Sequence, residues 1–489
     1  MRGKHGPVFD SLEVEKSLGW RVFGIPSGEI AKAVSSNELR EIIQLRSGKL
    51  VYAIRAFPQL SIQEAALLKS AIDYYRGANP KIGMQTPQDA LEKFCEANFF
   101  ELEGAQAEYL RRVISCIAQP TGALSEFLKD PSLEEIAVIG TGRSRPVHVF
   151  DSSFGWLETN LYFSSEDEVR NTVNAMASGI GRRITFQKPK LNATLADGSR
   201  QNACIEPASV SGPCITIRKF RETPLTPTDI LQMGCASKEQ MAFLWLAMQA
   251  DCSVMVCGNT GSGKTTLLNS LFNFVPKNER IIIVEETPEM NVPHSHTIRL
   301  ASAETIDLGM QELIVNTLRM RPDRVIVGEV RDRKELGAFI DTLLAGQGKG
   351  SYGTFHAQSA ADAIARMRNL GTLEIDLGAL DIIATQKRWS SYSGKAGSEL
   401  RKLIEICEPR VWKKGIEAKR LFSYDFGAQK FLFHEWGNNA TGKICRAFGF
   451  SKKEMEDEIL ARAEFLGTLL GMSGGEYFNA ISDFGKNQG

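Results

Sequence analysis

The segment Gly258–Thr265, GNTGSGKT, has the spacing G-x-x-x-x-G-K-T, and each residue type in it suits the capture of phosphate. Glycines at 258, 261 and 263 let the backbone curl until successive N–H groups point inward at an anion. Lys264 can reach the β- and γ-phosphates, and the Thr265 hydroxyl can ligate Mg²⁺. The helix that follows adds the positive end of its dipole. Asn259, Thr260, Ser262 and Thr266 complete the residues expected to line a nucleotide. A glycine-rich turn that binds nothing is the alternative, and the flanks argue against it. An apolar run, SVMVC at 253–257, precedes the loop, and a helical pattern, TTLLNSLFNF, follows. Cys257, just before the loop, is expected to be a small buried strand residue and not a reactive thiol.

Acids stand where such a loop would need them. The run RIIIVE at 280–285 ends in Glu285 and is followed by Glu286, with Glu289 four residues beyond Glu285, and RVIVGEV at 324–330 carries Glu329. In open α/β sheets ligands gather at the carboxyl ends of strands, so these carboxylates fall at the ligand edge. One can orient or deprotonate an attacking water while another steadies Mg²⁺ through bound water, because phosphoryl hydrolysis is mostly positioning and charge stabilisation. Glu289 and Glu329 are the stronger candidates; Glu285 and Glu286 fit solvated strand ends. His356 is one of six histidines and sits in GSYGTFHAQSA on a fourth strand pattern, before a helix that opens with Ser359 and Asp362. No second ligand stands nearby in sequence. His356 is therefore expected to sense phosphate by hydrogen bonding, not to bind metal.

Strands and helices alternate strictly from about 230 to 371, and the apolar strands at 253–257, 280–285 and 324–330 suit a parallel sheet buried on both faces. Beyond 380, RKLIEIC and the hairpin pattern LFSYDFGAQKFLFH are further strands, and Ser451 with Glu454 caps a closing helix. Residues 126–228 alternate short apolar runs with turns as a smaller α/β domain. Its end, RETPLTPTD at 221–229, is expected to be a linker. Residues 1–125 look mostly helical, with capping signals at Ser61/Glu64 and at Thr86-Pro87-Gln88-Asp89. Three regions are thus expected: 1–125, 126–228 and 230–489.

The chain has 489 residues, 43% hydrophobic and 24% charged, in the range of ordinary globular protein. Lys+Arg and Asp+Glu both number 58, so no whole-chain basic field exists to gather nucleic acid or anionic lipid, and no direct nucleic-acid partner is expected. Nine scattered cysteines without a C-x-x-C pair argue against a disulfide framework or a structural zinc and fit a reduced, cytoplasmic setting. The most apolar stretch, 241–257, is broken at Gln249–Asp251, and neither piece has the roughly 20 apolar residues of a membrane span. The start MRGKHGPVF lacks the apolar core of a signal peptide.

Four motifs in order, GNTGSGKTT, VEETPEMNVPH, LRMRPDRVIVGEVRD and GSYGTFHAQSA, resemble the type II/IV secretion-system ATPases. The segments LNATLADGSRQNACIEP and GPCITIRKF resemble the end of that family's N-terminal domain, and coverage runs from about 130 to 380. The wording GTFHAQSA and the downstream segment most resemble the archaeal secretion and pilus-assembly branch. The resemblance implies a RecA-like core with an α/β N-terminal domain, working as a homohexameric Mg-ATP hydrolase. It also implies a cytoplasmic motor, held peripherally at the membrane by a polytopic platform protein and driving pilus-like assembly or secretion. An archaellum motor and a conjugative DNA-transfer ATPase remain alternatives, as does a RecA-like DNA-dependent ATPase. By the same resemblance Glu289 is the general base and Glu329 the Walker B glutamate, holding Mg²⁺ through water with Thr265. His356 is the phosphate sensor, and Arg200 and Arg218 are arginines offered to nucleotide. The family's second histidine is absent: Gln347 stands in its place.

Overall fold

The computed structural model describes residues 20–38, 40–54, 61–77, 86–102, 104–221, 223–303, 306–346, 348–391, 398–412, 415–472 and 474–484. The chain divides into two compact units, 1–220 and 221–489.

The described residues of the first unit form eleven strands. They are β1 (Trp20–Val22), β2 (Ile30–Ser36), β3 (Arg40–Leu45), β4 (Leu50–Ile54), β5 (Leu133–Val138) and β6 (His148–Asp151), followed by β7 (Gly155–Thr159), β8 (Leu161–Phe163), β9 (Lys190–Thr194), β10 (Arg200–Cys204) and β11 (Cys214–Arg218). Nine of them form one sheet in the order β2-β3-β4-β7-β6-β5-β11-β10-β9, and β1 pairs with β8. The expected boundary at 125 is not found here: β4 pairs in parallel with β7, and one hydrophobic core runs from Trp20 to Ile217. A buried ion cluster crosses the same point. Arg40 reaches Asp130 at 3.0 Å and Asp151 at 3.2 Å, and the Tyr52 hydroxyl donates to Asp130 at 2.9 Å. The expectation of a mostly helical start holds at Ile62–Gly77, Pro87–Ala97 and Gly104–Ile117, where three helices form, but β2, β3 and β4 are a meander. Its short strands mix polar and apolar residues and reveal their pairing only in the sheet. Both expected capping pairs close there, at Ser61/Glu64 and at Thr86/Asp89.

The second unit continues with β12 (Val254–Gly258), β13 (Ile281–Glu285), β14 (Thr297–Ala301), β15 (Arg324–Val330), β16 (Gly350–Phe355), β17 (Ile382–Ser391), β18 (Ser398–Trp412), β19 (Gly415–Asp425) and β20 (Lys430–Phe433). Their order is β14-β13-β15-β16-β12-β17-β18-β19-β20, parallel through β17 and antiparallel beyond. Side chains alternate between two separate cores. Val254, Val256, Ile281, Ile283 and Ile326 pack on one face, and Met255, Val284, Val325 and Val327 on the other. A strand can be apolar at every position only when helices cover both faces, as they do here. The α/β class with a parallel-rich core sheet is as expected. Four expected strands form within one or two residues of their predicted limits, whereas β14 and β17 were not anticipated.

Thr226, Pro227 and Asp229 of the expected linker form a capping box that opens helix Pro227–Gln232, so the last residues of 221–229 are helix and not hinge. No helix among the described residues is long and apolar enough to cross a membrane.

Arg40 holds two buried carboxylates, and removing it leaves both uncompensated. Arg40→Ala should lower the unfolding free energy of the first unit by about 3–5 kcal/mol in urea denaturation. A loss below about 1 kcal/mol, the range of an exposed pair, would show that the cluster is solvated.

Candidate functional site

The phosphate loop joins β12 to helix Lys264–Leu271, and backbone geometry explains its glycines. Gly263 has φ +90°, a left-handed conformation at the helix N-cap. A Cβ on Gly258 would overlap the carbonyl oxygen of Gln386 on β17. The tip is also held from outside. The Asn259 carboxamide donates to the Arg388 carbonyl at 2.9 Å and accepts from the Arg388 N–H at 2.9 Å, while Arg401 Nε donates to the Gly261 carbonyl at 3.0 Å. Arg388 and Arg401 lie on β17 and β18, more than 120 residues from the loop, so sequence offered no sign of this clamp.

Within the loop the Ser262 hydroxyl is fully buried and makes no hydrogen bond among the described residues. An orphaned donor and acceptor costs free energy unless a ligand or water satisfies it, and phosphate oxygens would do so. Lys264 is buried, with Nζ at 3.4 Å from the Asn259 carbonyl and 3.5 Å from His356 Nδ1. Both contacts are at the long limit of hydrogen bonding. Thr265 is half-buried and Thr266 exposed on the first turn of the helix, and Thr260 is exposed at the tip. The donor set fits Mg²⁺, which takes one or two protein oxygens plus phosphates and water: Thr265 offers the hydroxyl, and Glu329 a half-buried carboxylate.

His356 follows β16 and Glu329 lies on β15, two adjacent parallel strands, so both reach the same edge as the loop. His356 Nε2 lies 2.6 Å from Glu329 Oε1. Arg331 clasps the other oxygen, with Nη2 at 2.8 Å and Nε at 3.0 Å, and also pairs with Glu286. Burial works against the Glu329 anion, but the Arg331 hydrogen bonds and charge, with His356 and Lys264, hold the carboxyl below its ordinary range. Burial and the Lys264 charge push the His356 imidazole down against the pull of Glu329. His356 is then neutral at pH 7, which fixes its tautomer. Nε2–H donates to Glu329, and Nδ1 is left to accept from Lys264. The structure therefore links Lys264, His356, Glu329, Arg331 and Glu286 in one polar chain.

Glu289 stands in the loop after β13, its N–H donating to Glu285 at 2.9 Å, and Met290 donates to the same oxygen at 2.9 Å. Glu285 is thus not a solvated strand end. It is buried against Gly328 and fixes the turn that carries Glu289. Burial pushes its carboxyl up to about 7, against the two backbone donors. The clue in sequence was its place as the last residue of an apolar strand. Glu286, by contrast, is exposed and paired to Arg331. Cys257 is a fully buried strand residue as expected, its thiol pushed up by burial. Arg200 and Arg218 face each other across β10 and β11 in the first unit. Gln347 lies outside the described residues.

The family described as type II/IV secretion system protein matches residues 126–403, more than half of the chain. An uncharacterized protein of Methanocaldococcus jannaschii is 32% identical over 311 residues, 61% of this chain and 42% of that protein. A second protein of that organism, also uncharacterized, is 30% identical over 369 residues, 73% of this chain and 65% of that protein. The chain thus spans less than two thirds of either. The type IV secretion system protein VirB11 of Bartonella quintana is 30% identical over 317 residues, 54% of this chain and 87% of that protein.

Glu285 supplies a pH test. Its native value lies above the ordinary 4.5, so the folded state keeps the proton while the unfolded chain loses it. Stability therefore declines from pH 4.5 through about 7 and is flat beyond. The full decline is on the order of 3 kcal/mol. Glu285→Gln keeps an acceptor oxygen without titrating. The variant should gain stability relative to the unsubstituted protein as pH rises across that window, read by denaturant unfolding at each pH. Parallel pH profiles would show that Glu285 stays ionised in the fold.

Proposed function

The chain belongs to the type II/IV secretion system protein family, and from that premise we propose that it is an ATP-hydrolysing motor acting as a homohexamer. In this reading it works peripherally at the cytoplasmic membrane, on a polytopic platform protein, and powers pilus-like filament assembly or protein secretion. The observation that supports this reading best is the polar chain from Lys264 through His356 to Glu329, set beside a phosphate loop with a buried, unsatisfied serine.

Backbone N–H groups of Gly258 to Thr265 hold the phosphates, with Asn259, Thr260, Ser262 and Thr266 lining the nucleotide. Lys264 moves from His356 Nδ1 to the terminal phosphates. Mg²⁺, held by the Thr265 hydroxyl and through water by Glu329, would neutralise the charge that grows between the β- and γ-phosphates. Glu289 is the base that orients and deprotonates the attacking water, in a turn positioned by Glu285. His356 keeps its Nε2–H on Glu329, and its Nδ1 loses the Lys264 ammonium while phosphate is bound and regains it when the γ-phosphate departs, so the return of Lys264 to Nδ1 is the report. Because the imidazole is neutral, the report is a change of hydrogen-bond partner, without transfer of charge.

Arg200 and Arg218 are proposed to stabilise charge on the transferring phosphoryl group. An arginine in that role is worth on the order of 10³–10⁵ in rate.

Lys264→Ala should abolish nucleotide binding, whereas Glu329→Gln should retain binding while turnover nearly stops; fluorescent-nucleotide titration and phosphate release read the two apart. Near-normal turnover in Lys264→Ala would sink the site, and loss of binding in Glu329→Gln would reassign that glutamate. The cargo reading is tested by adding a platform protein in vesicles or single-stranded DNA to the same assay. Stimulation by the platform and indifference to DNA is the expected pattern, and the reverse would favour DNA transfer.

Arg218→Ala and Arg200→Ala in the full chain should each cut kcat at least tenfold with little change in nucleotide affinity. Unchanged kcat in both would remove the arginines from the chemistry.

A further inference from the structure

β10 and β11 pair antiparallel in strict register, from Arg200 opposite Arg218 to Cys204 opposite Cys214. Alternation sorts the ladder into two faces. Gln201, Ala203, Ile215 and Ile217 are buried in the first unit, while Arg200, Asn202, Cys204, Cys214, Thr216 and Arg218 share the other, more accessible face. Two directly opposed residues of an antiparallel pair have Cα atoms about 4.5–5.5 Å apart and Cβ atoms about 4.5–5.5 Å apart. A disulfide needs Cα separations of about 4.4–6.8 Å and slightly closer Cβ atoms, so small side-chain and backbone adjustment suffices. The Cys214 side chain is near enough to Cys204 to act on its thiol. Of the nine cysteines, six are buried, and Cys445 is the one other partly accessible thiol.

We propose that Cys204 and Cys214 are a reversible dithiol that closes into an intramolecular disulfide across β10 and β11 when the chain meets a low-molecular-weight disulfide. The Cys204 thiolate attacks one sulfur of the small disulfide, forming a mixed disulfide and releasing one small thiol. The Cys214 sulfur then attacks the Cys204 sulfur, expelling the second small thiol. Two protein thiols are oxidised, one small disulfide is reduced to two thiols, and both protein protons leave with them. Lys190, opposite Cys204 on β9, favours the thiolate, but burial and the neighbouring Cys214 sulfur outweigh it and push the Cys204 thiol up. The Cys204 thiol therefore rests protonated at neutral pH, and closure quickens as pH rises. Such a pair is compatible with a reducing compartment, where protein disulfides are transient and regulatory. The cross-link lies four residues along the ladder from the two arginines, roughly 14 Å at 3.4 Å per residue, and ties together the strands on which they stand.

The test equilibrates the full-length protein with oxidised and reduced glutathione, quenches with acid, alkylates under denaturing conditions and measures intact mass. Oxidation should cost two of the nine alkylation sites, and excess dithiothreitol should restore them. No lysine or arginine separates the cysteines, so the tryptic peptide 201–218 should carry the change as a loss of two hydrogens. Cys204→Ser and Cys214→Ser should each lose no pair. Full alkylation after oxidation, a link through Cys445 or between chains, or a stable mixed disulfide on either thiol would overturn the proposal.

Discussion

Burial of β12 on both faces is the constraint on which the rest of the second unit depends. Val254 and Val256 pack into one core and Met255 and Cys257 into the other, so the strand has no freedom to slip or tilt. Its last residue, Gly258, is the first of the phosphate loop, and the loop therefore starts from a fixed point. The parallel neighbour β16, with β15 beyond it, ends at the same edge for the same reason, and this is why Lys264, Glu329 and His356 meet although 92 residues separate the first from the last.

The electrostatics of that edge divide the labour among its groups. Glu329 stays anionic because Arg331 clasps it, and His356 stays neutral because burial and Lys264 outweigh the carboxylate's attraction. A neutral imidazole between an ammonium and a carboxylate accepts on one side and donates on the other. It can therefore release and regain the Lys264 ammonium without the cost of moving a proton. Glu285 plays a quieter part: buried and titrating near neutrality, it holds the backbone of the turn that bears Glu289.

The phosphate loop is also tied to the antiparallel extension. Asn259 and Gly261 are gripped by Arg388 and Arg401, so the loop's shape depends on β17 and β18 as well as on its own glycines. In the first unit an analogous dependence on distant partners appears in the Arg40 cluster, which joins β3 to Asp130 and Asp151 and makes one domain of what composition divides at 125.

The sequence by itself determined the phosphate loop, the strands at 254–258, 281–285, 324–330 and 350–355, and the capping boxes, because each is set by local spacing and by burial patterns that a continuous stretch displays. It also singled out Glu329 and His356, by their place at the ends of such strands. Only the tertiary structure decided the pairing of β4 with β7, the capture of the last residues of the expected linker into a helix, the loop's clamp on Arg388 and Arg401, and the burial of Glu285. These rest on contacts between residues tens to more than a hundred positions apart, or on the desolvation of a single carboxylate. Neither leaves a periodic mark in the chain, since both depend on what the fold brings alongside.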